Sequence, residues 1–329
     1  MKINYKPNFI TQNIDLKKLR PGNSYGNLQK KRNSYLTNNK KSSNYLVKRN
    51  CPSCNKIKSN LLLKKDGFSI VKCKYCDLIY VNPILDSEKY LNTYKSKTYQ
   101  NIMKSLGEKS HKYRLERFGK ERTSYLKKFI GSKKKINLLD IGCSTGFFIE
   151  AAKKEGWRCE GLELNPSAAR FGIKRGLKIY QTNLENFKTN IKYDIITLFD
   201  VLEHLSNPKQ IIKYAKKILK KNGLLYVYVP NWDSASRILM KEKNCHFIWP
   251  THHLTYFTPK TLLSFFNKLK FKLVDWETQG LDLFDYAWFL KNKKKNFFLN
   301  EEQIDILQGY INSSGNGKNL RMLVKKINF

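Results

Sequence analysis

Long apolar runs are absent from this chain of 329 residues. No stretch of eighteen or more apolar residues occurs, so no membrane span is predicted. Residues 1–46 also lack the continuous apolar segment that a secretory signal requires, and we therefore expect a cytoplasmic protein. Apolar residues still make up 41% of the chain, enough for the core of one large domain or of a medium domain with a small partner.

Acidic residues are scarce as well. The chain has 26 Asp and Glu against 63 Lys and Arg, a formal charge of +37. Such a charge attracts nucleic acid. However, the lysines are spread along the whole chain, with only short clusters at 133–135 and 293–295, and the excess of Lys, Asn, Ile and Tyr over Ala and Val is typical of an AT-rich genome. Nucleic acid therefore remains a candidate partner that the sequence does not favour.

Cysteine is too sparse for a disulfide scaffold, since the chain has only seven. Four of them form two close pairs, Cys51-Pro-Ser-Cys54 and Cys73-Lys-Tyr-Cys76, with eighteen residues between the pairs. Two residues between cysteines let both thiolates face one ion, and two such knuckles complete a tetrahedral site without a position for a catalytic water. The spacing therefore predicts structural zinc bound by these four thiolates, in preference to a redox pair or an iron–sulfur cluster.

Composition and periodicity divide the chain into five parts. We predict a poorly ordered polar tail over residues 1–46, a zinc ribbon over 47–85 and a helical cap over 86–130. The main domain then covers 131–280, and 281–329 hold an aromatic-rich insertion followed by a final strand.

Within the main domain, buried strands alternate with helices. Strand patterns cover 136–141, 158–164, 193–199 and 224–229, and the helix between the last two should run from Asn207-Pro208 to Gly223. This alternation predicts an α/β fold: a Rossmann-like parallel sheet with helices on both faces, an antiparallel last strand at the sheet edge, and the small N-terminal zinc ribbon. Ligands of such sheets bind beyond the carboxyl ends of the strands.

A glycine-containing loop, Asp140-Ile-Gly142-Cys143-Ser144-Thr-Gly146, follows the first of these strands and directly precedes a helix. Glycines at such a turn let the backbone approach a ligand and present helix N–H groups to it. The dinucleotide fingerprint requires glycine where this chain has Ser144 and Phe147, so a pyrophosphate loop is a poor match. Apart from Ser144, the loop resembles the first motif of class I S-adenosylmethionine-dependent methyltransferases, an acid followed by alternating glycines.

The resemblance implies a set of cofactor contacts. Glu163 ends the second strand and resembles the family's ribose-binding acid, and Asn183 stands where the family often has an acid near the adenine. The residues implied to bind S-adenosylmethionine are Asp140, Gly142, Cys143, Ser144, Gly146, Glu163, Leu164, Asn183, Leu184 and Asp200.

Later motifs extend the resemblance to the ubiquinone-methyltransferase-like group. They are Phe-Asp200-Val-Leu-Glu203-His204-Leu after the fourth strand and His253-Leu-Thr-Tyr-Phe-Thr-Pro259. The zinc knuckles, with Cys76-Asp-Leu-Ile-Tyr-Val-Asn-Pro83, resemble N-terminal modules of methyltransferases in sugar and polysaccharide pathways.

The acceptor and the base follow from the same motifs. A hydroxyl acceptor needs a base, which near neutral pH is most often histidine, and His253 and His204 are the candidates at the predicted rim. The segment 250–258 keeps the last His, Leu, Tyr and Phe of a sugar C-methyltransferase pattern but not its leading Tyr, His and Glu. We therefore expect O-methylation of a small hydroxylated acceptor, a nucleotide- or lipid-linked sugar, rather than C-methylation.

Two other functions remain open. A ribosomal or transfer RNA methyltransferase would fit the positive charge, although Asp200-Val-Leu-Glu203 is not the Asn/Asp-Pro-Pro-aromatic motif of enzymes that methylate flipped base amines. A non-catalytic zinc-ribbon scaffold with a vestigial cofactor fold would fit Ser144 and the residues missing before His253.

Overall fold

The structure of the chain is a computed structural model that describes residues 6–19, 45–86, 97–131 and 135–327. Parts of the predicted tail (20–44) and of the predicted cap (87–96) lie outside the described residues. Within the described part of the chain, no helix has the length and apolar character needed to cross a membrane.

The N-terminal part of the described chain contains a small ribbon and a helical cap. After a short helix α1, Leu16–Leu19, come the strands β1, Leu46–Val47; β2, Ser59–Lys65; β3, Phe68–Cys73; β4, Ile79–Val81; and β5, Ile84–Leu85. The cap is formed by α2, Lys97–Arg114, a π-helical turn Leu115–Gly119 and α3, Lys120–Ile130. Gly119 lets this turn pack closely, since a Cβ there would lie 2.8 Å from the Cβ of Ala151.

The main domain is built on a seven-stranded sheet. Its elements are β6, Asn137–Ile141; α4, Phe147–Lys154; β7, Arg158–Leu162; α5, Pro166–Lys174; β8, Ile179–Tyr180; β9, Tyr193–Phe199; a 3-10 turn, Leu202–His204; α6, Pro208–Ile218; β10, Leu219–Pro230; α7, Ala235–Asn244; β11, Thr255–Tyr256; α8, Pro259–Lys268; β12, Phe271–Gln279; α9, Asp282–Asn292; α10, Glu301–Ser313; and β13, Asn319–Lys326. The strand order is β12-β13-β10-β9-β6-β7-β8, with β6 to β10 parallel.

Apolar side chains cover both faces of this sheet. Leu138 and Ile195 face a layer that includes Phe148 of α4. The next residues along the same strands, Leu139 and Ile196, face a second layer with α6 and α8. This alternation, which buries both faces of each strand, confirms the predicted α/β sheet with helices on both sides.

Two details of the predicted sheet are wrong. The last strand, β13, is antiparallel as predicted, but it lies between β10 and β12 rather than at the edge. Its side chains are almost entirely buried from Leu320 to Val324, as an interior position requires. The helix α6 ends at Ile218 rather than Gly223, because Leu219 already pairs with Tyr193 at the start of a bulged β10.

The insertion and the tail pack together. Residues 282–292 and 301–313 of the insertion form α9 and α10, for which the sequence predicted no structure. The backbone N–H of Asn8 donates to the carbonyl of Gly309 at 2.9 Å, and the Asn312 amide donates to the Asn8 carbonyl at 3.0 Å. Residues 6–19 of the predicted tail therefore have defined contacts, which also include a hydrogen bond from the backbone N–H of Asp15 to the Tyr113 hydroxyl at 2.7 Å.

The ribbon is continuous with the main domain. Strands β2, β3 and β4 form a sheet whose fourth strand is β11 of the main domain, where Thr255 pairs with Tyr80. Cys51 and Cys73 belong to the same buried cluster as residues of β9 and β10. The ribbon therefore shares its hydrophobic core with the main domain.

Candidate functional site

The glycine loop lies at the carboxyl end of β6, between β6 and α4. Gly142, Ser144 and Gly146 all have positive φ, at 75°, 53° and 79°. A Cβ on Gly142 would lie 2.4 Å from Val201 Cγ2, and one on Gly146 would lie 2.5 Å from Leu177 Cδ1. Glycine is therefore required at both positions by backbone conformation and by packing.

The acids predicted for the cofactor have defined partners. Asp140 is buried, its Oδ1 accepts a hydrogen bond from Thr197 Oγ1 at 2.6 Å, and burial raises the pKa of its carboxyl to about 7. Glu163 accepts from the backbone N–H of Ser144 at 2.8 Å and of Asn165 at 2.6 Å, while burial raises the pKa of its carboxyl. Glu163 thus ties the second strand to the glycine loop.

The other predicted cofactor residues surround the same edge of the sheet. Cys143 is buried, and its Sγ lies so close to Gly161 that a Cβ there would be 2.5 Å from it. Leu164 is exposed, and Leu184 is buried nearby. Asn183 Oδ1 accepts from the Asn186 backbone at 3.1 Å. Asp200 is exposed at the end of β9 with a φ of 56°.

Sequence reasoning missed Arg122, a buried residue of the cap helix α3. Its guanidinium lies 4.0 Å from the ring centroid of Phe199 and 5.6 Å from that of Phe147, at the end of β9 and the start of α4. Among the described residues, no oxygen accepts a hydrogen bond from it and no carboxylate forms an ion pair with it. Its nitrogens remain accessible to solvent, and its positive charge opposes the rise that burial causes in the pKa of Asp140 and Asp200. An arginine placed in this way can bind an anionic ligand at this edge.

Arg321 of β13 gives an internal comparison. It too is buried, with its guanidinium 4.0 Å from a ring centroid, that of Tyr125. Unlike Arg122, it pairs with the carboxylates of Glu121 and Glu277. Arg321 is therefore paired with carboxylates inside the fold, whereas Arg122 forms no such ion pair with a described residue.

The two predicted catalytic histidines meet beyond the end of β9. The rings of His204 and His253 lie 4.7 Å apart, centroid to centroid. His204 Nδ1 lies 3.0 Å from the carbonyl of His252, and His253 Nδ1 lies 2.6 Å from the carbonyl of Phe247. Since a carbonyl only accepts, each Nδ1 carries the proton and each Nε2 is the basic nitrogen.

Glu203 completes this cluster, which we call the histidine pair with Glu203. Its side chain is buried, Oε1 lies 3.7 Å from His204 Nε2, and neither oxygen accepts a hydrogen bond from any described residue. Burial raises the pKa of Glu203 well above its usual range and lowers that of His204 to about 4. The ligand atoms of all three lie within 4.8 Å of one another, so they could bind a divalent cation or act as acid and base.

Known proteins resemble the chain over this region. The family described as "Methyltransferase domain" matches residues 111–275, half of the chain. The chain belongs to the class I S-adenosylmethionine-dependent methyltransferases. Among curated relatives, this methyltransferase is 30% identical over 106 residues to a ubiquinone biosynthesis O-methyltransferase of Haemophilus ducreyi, covering 29% of this chain and 45% of the relative.

A second such enzyme, from Pelagibacter ubique, is 28% identical over 170 residues, covering 48% of this chain and 71% of the relative. The chain spans about half the length of the curated relatives that it matches first. The plantazolicin methyltransferase BpumL, solved with SAH, superposes with a TM-score of 0.50 at 16% identity, covering 72% of this chain and 94% of that one, and so shows the shared fold.

The four paired cysteines of this methyltransferase converge as predicted. Cys51 Sγ lies 3.5 Å from Cys76 Sγ, Cys54 Sγ lies 3.5 Å from Cys73 Sγ, and all four sulfurs lie within 4.8 Å of one another. A tetrahedral ion with bonds of ~2.3 Å requires sulfurs about 3.8 Å apart. Hydrogen bonding from Cys51 lowers the pKa of Cys76 to about 4, which favours a thiolate.

Proposed function

We propose that this methyltransferase transfers the methyl group of S-adenosylmethionine to a hydroxyl of a small acceptor, a nucleotide- or lipid-linked sugar. The observation that carries the proposal is the histidine pair with Glu203 at the ligand edge of the sheet. O-methylation is also the activity named for the ubiquinone biosynthesis relatives. A polyhydroxylated acceptor would supply donors to the Glu203 oxygens, which accept none from the described residues.

The residues at the glycine loop suit the cofactor. Backbone N–H groups at the start of α4 and the positive-φ loop allow close approach of the methionine part. Arg122 would bind its carboxylate, since its guanidinium lies over Phe199 with its donors unused. Glu163 would accept the ribose hydroxyls through its remaining lone pairs, and Asn183 would contact the adenine amine.

When bound, S-adenosylmethionine supplies a methyl group already activated by its sulfonium. This chain's task is then to hold the acceptor in line and to take its hydroxyl proton. His253 Nε2 is the better candidate base, because a pKa of about 4 makes His204 a weak one. His204 and Glu203 would orient the hydroxyl, either directly or through a divalent cation bound between them.

We assign the four cysteines to structural zinc. Their thiolates fill the coordination shell, and each knuckle is followed by a residue with positive φ, Asn55 at 60° and Asp77 at 59°. In both knuckles this residue donates its backbone N–H to the carbonyl of the first cysteine, Asn55 to Cys51 at 2.9 Å and Asp77 to Cys73 at 3.2 Å. The ion would stabilise the ribbon and take no part in methyl transfer.

The test uses labelled cofactor with separate pools of sugar nucleotides, lipid-linked sugars and RNA. Label should enter a sugar pool, and His253→Ala should cut the rate by about 10²–10⁴-fold with S-adenosylmethionine affinity intact. His246→Ala is the matched control, because His246 lies instead beside Lys318 and Asp285. Label entering only RNA would refute the sugar acceptor, and cofactor binding without transfer to any pool would favour the scaffold.

A further inference from the structure

Arg49 of the ribbon, two residues before the first cysteine of the zinc site, reaches into the main domain. Its Nε donates to the carbonyl of Val81 at 3.1 Å, and its two terminal nitrogens donate to the carbonyls of Ser206 at 2.9 Å and Leu254 at 2.6 Å. One side chain therefore bonds three segments that are far apart in sequence. The planar guanidinium, with donors fixed in a fork, suits such a contact, and lysine could not reproduce it.

Two of these carbonyls belong to the segments that carry the histidine pair. Ser206 lies two residues after His204, and Leu254 directly follows His253. The segments also bond to each other, since the Leu254 N–H donates to the Glu203 carbonyl at 2.8 Å and His204 Nδ1 lies 3.0 Å from the His252 carbonyl. The Arg49 guanidinium contacts both segments from the ribbon, through their backbone carbonyls.

We infer that Arg49 is a positioning residue that fixes the His204 and His253 segments relative to one another, so that the zinc ribbon sets the geometry of the acceptor site. For its effect on turnover, this inference rests on the proposed function of the histidine pair. The pairing of β4 with β11 supports it, because Tyr80 and Thr255 continue the same connection along the backbone. A displacement of about 1 Å at a reacting group can cost on the order of 10²-fold in rate.

Lys65 provides a matched control. It also lies in the ribbon and donates to two carbonyls of the main domain, those of Glu242 and Cys245, both at 2.8 Å. Those carbonyls lie at the end of α7 and not in the histidine segments. Lys65→Met therefore removes a comparable tie between the same two parts of the chain without touching the acceptor site.

The experiment compares Arg49→Met, Arg49→Lys and Lys65→Met by hydrogen exchange, zinc content, cofactor affinity and steady-state kinetics. Arg49→Met should raise amide exchange in peptides covering 201–207 and 250–257 while β3 keeps its protection and zinc stays bound. It should lower kcat by about 10–100-fold with S-adenosylmethionine affinity unchanged, and Arg49→Lys should be intermediate. Lys65→Met should change neither the amide exchange of these two segments nor kcat.

Unchanged exchange in the two histidine segments of Arg49→Met, or an equal rise in Lys65→Met, would overturn the inference. Exchange is measured without an acceptor, so it is independent of the reaction. If exchange rises in those segments while turnover does not change, the positioning stands and the histidine pair loses its proposed catalytic role.

Discussion

Replacing Arg122 by methionine tests the cofactor site most directly. Methionine keeps an apolar side chain against the rings of Phe199 and Phe147 and removes only the charge and the donors. Each hydrogen bond to a charged group is worth about 1.5–3 kcal/mol. One such bond to the cofactor carboxylate corresponds to a loss of affinity of roughly 10- to 150-fold, so the Kd for S-adenosylmethionine should rise by that factor.

The assay is calorimetric titration with S-adenosylmethionine and with its decarboxylated analogue. The wild-type chain should bind the analogue more weakly by the same factor, and Arg122→Met should no longer distinguish the two ligands. Without ligand the variant should unfold at nearly the same temperature. The lost cation–π contact of about 0.5–2 kcal/mol is opposed by removal of a largely buried cation that forms no ion pair with a described carboxylate.

Arg321→Met supplies the contrast. It should lower stability markedly, by about 3–5 kcal/mol, because it leaves the carboxylates of Glu121 and Glu277 without their partner. Cofactor affinity should not change. If the Arg122→Met variant still binds S-adenosylmethionine more tightly than the decarboxylated analogue, the contact between Arg122 and the cofactor carboxylate is refuted, whatever the absolute affinities of the variant.

The remaining predictions concern the metal, the ribose and pH. Cys73→Ser should lose the zinc found by elemental analysis and expose the ribbon to protease; full retention would contradict the four-thiolate site. Glu163→Ala should weaken S-adenosylmethionine at least tenfold in calorimetry, and unchanged affinity would move the ribose site elsewhere. Because the folded pKa of Asp140, about 7, exceeds its unfolded value of ~3.9, its contribution to the free energy of unfolding is lost as pH rises from about 4 to 7, by roughly 4 kcal/mol. In urea unfolding, the free energy of unfolding of Asp140→Asn should lack this decrease between about pH 4 and 7. If it changes with pH in the same way in variant and wild type, the raised pKa of Asp140 is excluded.

Much of the fold could be predicted because its signals are local. Runs of buried residues between helix caps mark the parallel strands, and Asn165-Pro166 caps α5 as expected, with the Asn165 side chain accepting from the backbone of Ser167. The cysteine knuckles are equally local, since four ligands lie in two short motifs. The position of β13 between β10 and β12 depends instead on long-range strand pairing. The residue pattern of a strand does not specify which strands will be its neighbours.

The candidate site divides in the same way, into residues that a local motif predicts and residues that only long-range packing brings to the site. The glycine loop and Glu163 were predictable because each lies at a strand end with a recognisable motif. Arg122 was not, because an arginine on a helix normally extends into solvent, and only the packing of α3 beside β9 places it over Phe199. Glu203 was visible in its motif, but its lack of a hydrogen-bond donor appears only once its surroundings are known.

The ribbon's place in the fold changes how its zinc site should be tested. A self-contained ribbon would lose zinc with no effect on turnover, but here β4 pairs with β11, and Arg49 contacts the carbonyl of Leu254. Zinc loss should therefore lower kcat through displacement of His253, although the ion takes no part in the reaction. Cofactor affinity should change far less, because the hydrogen bonds of Glu163 are to the backbone of Ser144 and Asn165, in the main domain. A Cys73→Ser chain that loses cofactor affinity and turnover in equal measure would instead indicate general unfolding.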